Sequence, residues 1–123
     1  MNIYESAEDY LEAILMITER NGVAHSVDIA EQKGYSKASV SIAMKKLREN
    51  GYISMDKDGS LHLLKPGQKI AERIYSRHKM LTSLFTKLGV DPSTAAEDAC
   101  KVEHDLSEET FLKLKALEQS LDQ

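Results

Sequence analysis

A mainly α-helical fold, broken once by a β-hairpin, is what the 123-residue sequence predicts. Three observations predict it. Apolar residues recur at three- and four-residue steps along most of the chain. Cap residues and glycines punctuate those stretches at helix length. One segment, YISMDKDGSLHLL, switches to strand-like residues around the turn sequence KDGS.

Taken in order, SAEDYLEAILMITER places Tyr10, Ile14 and Ile17 on one stripe, widened by Leu11, Leu15 and Met16, and ends at Asn21-Gly22. That pattern is a helix buried on one face. SVDIAEQKG begins at Ser26, a good N-cap, and stops at Gly34. SKASVSIAMKKLREN begins at Ser36 or Lys37, buries Val40, Met44 and Leu47, and stops at Gly51. Two short helices joined by KGYS, the second ending in a basic cluster, match a helix-turn-helix, and the hairpin after them reads as its wing. From Pro66, PGQKIAERIYSRHKMLTSLFTKLG carries Ile70, Ile74, Leu81, Leu84 and Leu88 to Gly89. This long helix is expected to share its face with the units on either side. DPSTAAEDACKVEHDL and SEETFLKLKALEQSLDQ complete the chain, with Asp91 and Ser107 as caps and Glu108 or Glu109 near the capping-box position. The expected organisation is a winged helix-turn-helix domain over 1–65 and a helical domain over 66–123.

Composition narrows the function classes. No apolar run approaches the roughly 18 residues of a membrane span, and MNIYESAEDY lacks the basic and apolar regions of a signal peptide. The single cysteine has no internal disulfide partner, so a reducing cytoplasm is the expected setting and the thiol is buried, reactive or a ligand. Net charge is −4, but it is divided: residues 1–32 carry −6, residues 33–87 carry +8 and residues 88–123 carry −6. A basic middle between acidic ends suits local phosphate binding, which the total conceals. Solvated helix faces that happen to alternate in sign are the bland alternative.

A DNA-reading helix needs small or polar side chains in its first turns to meet base edges, and cations to hold phosphates. Ser36, Lys37, Ser39 and Ser41 meet the first need; Lys45, Lys46 and Arg48 meet the second, with Lys57 reaching phosphate from the wing. Hydroxyls donate and accept alike, so discrimination between sequences falls partly to methyl contacts and DNA shape.

ACKVEHDLS sets Cys100, Glu103 and His104 at i, i+3 and i+4, three metal-ligating side chains on one helical face. A divalent ion wants two or three more donors. Asp9 and Glu12, at i and i+3 on the first helix, and His78 in YSRHKM are the candidates. Singly, His78 is more often a surface or hydrogen-bonded histidine, and Asp9 and Glu12 more often solvated. The set D-x-x-E, then H, then C-x-x-E-H is far more specific than any part.

On EDYLEAI, DIAEQKGYSKASVSIAMKKLRENGYI, LTSLFTKLGV after RH, and EDACKVEHDLS, the sequence resembles the diphtheria toxin repressor family of metal-dependent regulators. It is most similar to the short branch, the manganese transport regulators; longer members add an SH3-like domain, which is not expected here. The resemblance implies a homodimer that binds a palindromic operator in double-stranded DNA when loaded with Mn(II) or Fe(II), and ligands at Asp9, Glu12, His78, Cys100, Glu103 and His104. Two departures matter. The manganese branch has a glutamate, which helps bridge two ions, where Cys100 stands; the iron branch has a cysteine there but a methionine where Asp9 stands. Ala96 and Thr82 replace ligands of the iron branch's ancillary site. Thiolate favours softer ions such as Fe(II), Co(II) or Zn(II), while Asp9 and Glu103 suit Mn(II), so the ion stays open at this point.

The expected function is therefore a metal-dependent repressor of metal-uptake genes, not an enzyme. Leu84, Leu88, Phe111, Leu114, Leu117 and Leu121 are expected at the dimer contact, with an internal core as the ordinary alternative for some. A metal-independent winged-helix regulator with Cys100 as redox sensor is the rival; it needs an exposed thiolate, which the nearby Glu103 disfavours. A small metallohydrolase is weaker still, for want of a nucleophile and base beyond the ligands.

Overall fold

The computed structural model describes residues 5–122. It forms two compact units, Met1–Arg73 and Ile74–Gln123, divided within the longest helix.

The first unit holds helices α1 (Glu5–Asn21), α2 (Ser26–Lys33) and α3 (Lys37–Glu49), strands β1 (Ile53–Met55) and β2 (Leu61–Leu63), and the start of α4 (Lys65–Lys87). Glu5 and Glu8 stand in the first turn of α1 and Arg20 in its last, each sign matched to the helix dipole. Its apolar stripe is buried as expected, through Tyr10, Leu11, Ile14, Leu15 and Ile17, while Met16 is half-buried. Ile29 of α2, the Val40, Met44 and Leu47 stripe of α3, and Ile53 and Leu61 of the strands complete this core.

Helix α2 starts one residue earlier than Ser26 as cap would allow. The cap is His25, in extended conformation, whose backbone N–H donates to Asp28 Oδ2 at 2.9 Å. At the other end Gly34 adopts φ 72°, a left-handed conformation that costs glycine little, and its N–H reaches Ala30 O at 2.9 Å. Ser36 caps α3 by accepting from Ser39 N at 3.1 Å. The wing pairs antiparallel, Ile53 with Leu63 and Met55 with Leu61, and Leu61 N donates to Ala24 O at 2.8 Å, which ties the hairpin to the segment before α2.

Gly67, in the first turn of α4, is where backbone runs against backbone. A Cβ there would collide with the Tyr52 carbonyl oxygen and press Leu11 Cδ2 at 3.3 Å. Neither a main-chain carbonyl nor a core leucine yields easily, so Gly67→Ala is expected to cost about 1–3 kcal/mol of stability, the usual penalty of overpacking. Chemical unfolding of the two proteins measures it; equal midpoints would mean the hairpin end shifts freely.

The second unit contains the rest of α4, α5 (Pro92–Val102) and α6 (Glu108–Ser120). Met80, Leu81, Leu84, Ala99 and Phe111 form its core, with Phe85, Val102, Leu106 and Leu114 packed against it. Of the leucine-rich set expected at a dimer contact, Leu84 and Phe111 are thus internal, while Leu88, Leu117 and Leu121 are exposed together with Leu112. Leu88 falls just beyond the last residue of α4. Asp91 caps α5, accepting from Ser93 N and Thr94 N, and Ser107 caps α6, accepting from Thr110 N at 3.1 Å. No capping box forms on α6, because Glu108 and Glu109 occupy the first two helical positions and Thr110 the third. No described helix is long and apolar enough to cross a membrane.

Candidate functional site

In the first unit the residues chosen for DNA contact all lie on the surface. Ser36, Lys37, Ser39, Ser41, Lys45, Lys46, Arg48 and Lys57 are each exposed. The capping geometry constrains two of the hydroxyls. Ser36 Oγ donates to Ser39 Oγ at 2.9 Å while accepting from Ser39 N at 3.1 Å, so the Ser39 hydroxyl proton is not used in this contact. Lys57 sits at the wing tip between Asp56 and Asp58, where Asp56 Oδ2 is 2.8 Å from His62 Nε2. A hydrogen bond from Ser60 holds the Asp58 carboxyl below the usual carboxylate range. The acids on both sides dilute the pull of Lys57 on a phosphate.

Of the six expected ligands, four come together in the second unit. His78 Nδ1 lies 2.9 Å from Glu103 Oε2, His104 Nε2 lies 3.5 Å from Glu103 Oε1, and Cys100 Sγ is within 4.8 Å of a Glu103 carboxylate oxygen. The Glu103 side chain is 0% exposed, and its Oε1 has no hydrogen-bond partner among the described residues. A buried carboxylate with an unused oxygen is costly unless a positive charge meets it.

The expectation that Cys100, Glu103 and His104 share one helical face needs correcting. Helix α5 ends at Val102; Glu103 is its C-cap, still in right-handed helical conformation, and His104 lies in the turn beyond. The consequence favours a cation. Both side chains stand at the negative end of the α5 dipole.

Asp9 and Glu12 share a face of α1 in the first unit, one helical turn apart. Asp9 Oδ1 is 4.0 Å from Lys33 Nζ of α2, and Glu12 is 1% exposed.

Sequence reasoning missed Arg77. Its side chain is 3% exposed, and Nη1 donates to the carbonyls of Glu103 at 3.2 Å and Leu106 at 2.5 Å. Nη2 reaches Glu108 Oε2 at 3.3 Å, and the guanidinium lies 5.2 Å from the Phe111 ring centroid. It therefore anchors the backbone at the α5 terminus that carries two of the expected ligands. A signal was available: Ile70, Ile74, Arg77, Leu81 and Leu84 step by four, three, four and three, so a charge occupies a core position of the α4 stripe. Arg77→Ala is expected to lose about 2–4 kcal/mol, because a buried carbonyl and a part-buried one lose their donor. Thermal unfolding checks it; an unchanged midpoint would mean water replaces the guanidinium.

Comparison with known proteins gives a consistent picture. Residues 2–61 match the family described as "Iron dependent repressor, N-terminal DNA binding domain", and residues 65–123 match "Iron dependent repressor, metal binding and dimerisation domain". An uncharacterized HTH-type transcriptional regulator of Methanocaldococcus jannaschii is 35% identical over 113 residues, 90% of each chain. Among solved structures, the manganese regulator SloR matches with TM-score 0.77 and 29% identity over 95% of this chain and 54% of its own. A manganese-dependent transcriptional repressor in complex with manganese matches with TM-score 0.83 and 25% identity over 92% of this chain and 52% of its own. T. acidophilum IdeR, at 23% identity and TM-score 0.79, covers 93% of this chain and 53% of its own, a likeness of fold. The chain spans about half the length of these solved structures.

Proposed function

The chain belongs to the iron-dependent repressor family, and on that premise we propose that it is a cytoplasmic repressor whose binding to operator DNA depends on Mn(II) or Fe(II), and that it controls metal-uptake genes. The family is one of DNA-binding regulators and not of enzymes. The observation that carries the reading is Glu103, a fully buried carboxylate with an oxygen lacking a hydrogen-bond partner, beside two imidazoles and a thiol. These donors fit a divalent transition metal.

The proposed ligands are His78, Cys100, Glu103 and His104 together with Asp9 and Glu12. A bound divalent ion adds positive charge beside the Glu103 carboxylate, whose Oε1 has no hydrogen-bond partner among the described residues. Asp9 and Glu12 belong to α1, the helix that packs on α2 and α3. Metal and DNA are then linked ligands, each raising the affinity of the other by one factor. The DNA contacts are Ser36, Lys37, Ser39 and Ser41 toward bases and Lys45, Lys46, Arg48 and Lys57 toward phosphates. A homodimer on a palindromic operator completes the reading, with exposed Leu117 of α6 and Leu121 at its C-cap, one turn apart, in its apolar contact.

Retention of operator DNA in a mobility shift, with Mn(II), Fe(II) or Zn(II) against a chelator under reducing anaerobic conditions, tests the function. Retention that ignores metal would favour the redox-sensing alternative. Variants at Cys100 test the choice of ion. Cys100→Glu supplies a hard donor and should strengthen the response to Mn(II) at the expense of softer ions; Cys100→Ser, a poor ligand, should weaken the response to all. If both variants respond as the parent does, Cys100 is not a ligand.

A further inference from the structure

Ile42 of α3 is 59% exposed. Advancing 100° per residue, it stands roughly 170° around the helix from the buried stripe of Val40, Met44 and Leu47, at the middle of the outward face. A single exposed apolar side chain is ordinary by itself; its surroundings are not. The helical neighbours of Ile42 are Ala38 and Ser39 one turn before and Lys45 and Lys46 one turn after, all exposed. Glu49, the one acid of α3, is seven residues on at its far end. A small apolar spot enclosed by cations and hydroxyls is a poor fit to a protein partner, which would bring a larger apolar area. It fits a polyanion that offers isolated methyl groups.

Duplex DNA is such a partner. Its major groove presents a methyl group only at thymine, flanked by the phosphates that Lys45 and Lys46 would meet. We propose that Ile42 packs on a thymine C5-methyl group and is a specificity-determining residue of this repressor. The proposal rests on the DNA-binding function proposed above and deepens it. Serine hydroxyls discriminate bases weakly because they donate and accept alike. An apolar side chain at the centre of the face supplies discrimination that Ser39 and Ser41 lack.

The test uses the full metal-loaded chain. The preferred operator is first selected from a random duplex pool, and each thymine is then replaced by deoxyuracil, which removes only the methyl group. With the parent protein, at least one replacement should weaken binding about three- to five-fold, the worth of burying one methyl-sized group. With Ile42→Ala the same replacement should have no effect, and the dependence of affinity on salt should stay as in the parent because phosphate contacts are kept. Ile42→Gln should move the preference at that position from thymine toward adenine, which glutamine recognises through two hydrogen bonds. The proposal is overturned if no uracil replacement matters, or if the loss is equally large in Ile42→Ala. Failure of the parent to select any duplex with metal present would instead overturn the DNA-binding reading itself.

Discussion

Glu103→Gln is expected to abolish the metal response while leaving the apo protein as stable as the parent. The amide keeps the size of the side chain and can still hydrogen-bond His78, so little packing is lost at a position with 0% exposure. Removing the charge also removes the cost of burying a carboxylate whose Oε1 has no hydrogen-bond partner. What disappears is the anionic donor between two imidazoles, and metal affinity should fall at least about 100-fold, since even the partners of ligands are worth about 10- to 100-fold. Unfolding with chelator and with Mn(II) separates the two effects. The parent should gain stability with the ion, as any ligand of the native state provides, and the variant should gain none. A variant that loses stability equally in both conditions would make Glu103 a structural partner of His78.

The second large effect is on DNA. Replacing Lys45 and Arg48 together with alanine should weaken binding to every duplex, specific or not, because both exposed side chains are the proposed phosphate contacts. The slope of log affinity against log salt should become shallower by about 0.9 for each phosphate that is no longer neutralised. The order of preference among sequences should survive. An unchanged slope would remove these two residues from the interface.

Much of this was legible in the residues because periodicity reports burial directly. The stripes of α1 and α3, and the caps Asp91 and Ser107, are local patterns that the fold keeps. The start of α2 was not legible, since Ser26 looks like the cap residue and only the reach of Asp28 back to His25 N moves the cap to His25. Leu84 and Phe111 show a different limit. An apolar stripe signals burial without saying whether the covering surface is the chain's own core or a partner's. Arg77 escaped because hydrophobic periodicity counts a charge as a gap, and the two carbonyls that satisfy it come from residues 26 and 29 positions away in sequence. His78 drew attention as a lone histidine, but its place 2.9 Å from Glu103 depends on how α4 and the end of α5 pack, which spacing alone does not encode.

The central claim is that metal and DNA are linked ligands of one repressor, and reciprocity tests it most directly. Mn(II) and Fe(II) affinity should be measured by competition with a chelator, once for the protein alone and once with operator DNA saturating it. Operator affinity should likewise be measured with and without the ion. The account predicts that DNA tightens the ion by the same factor as the ion tightens DNA, about 5- to 150-fold if the coupling is of ordinary size. Metal affinity that is identical with and without operator would contradict it.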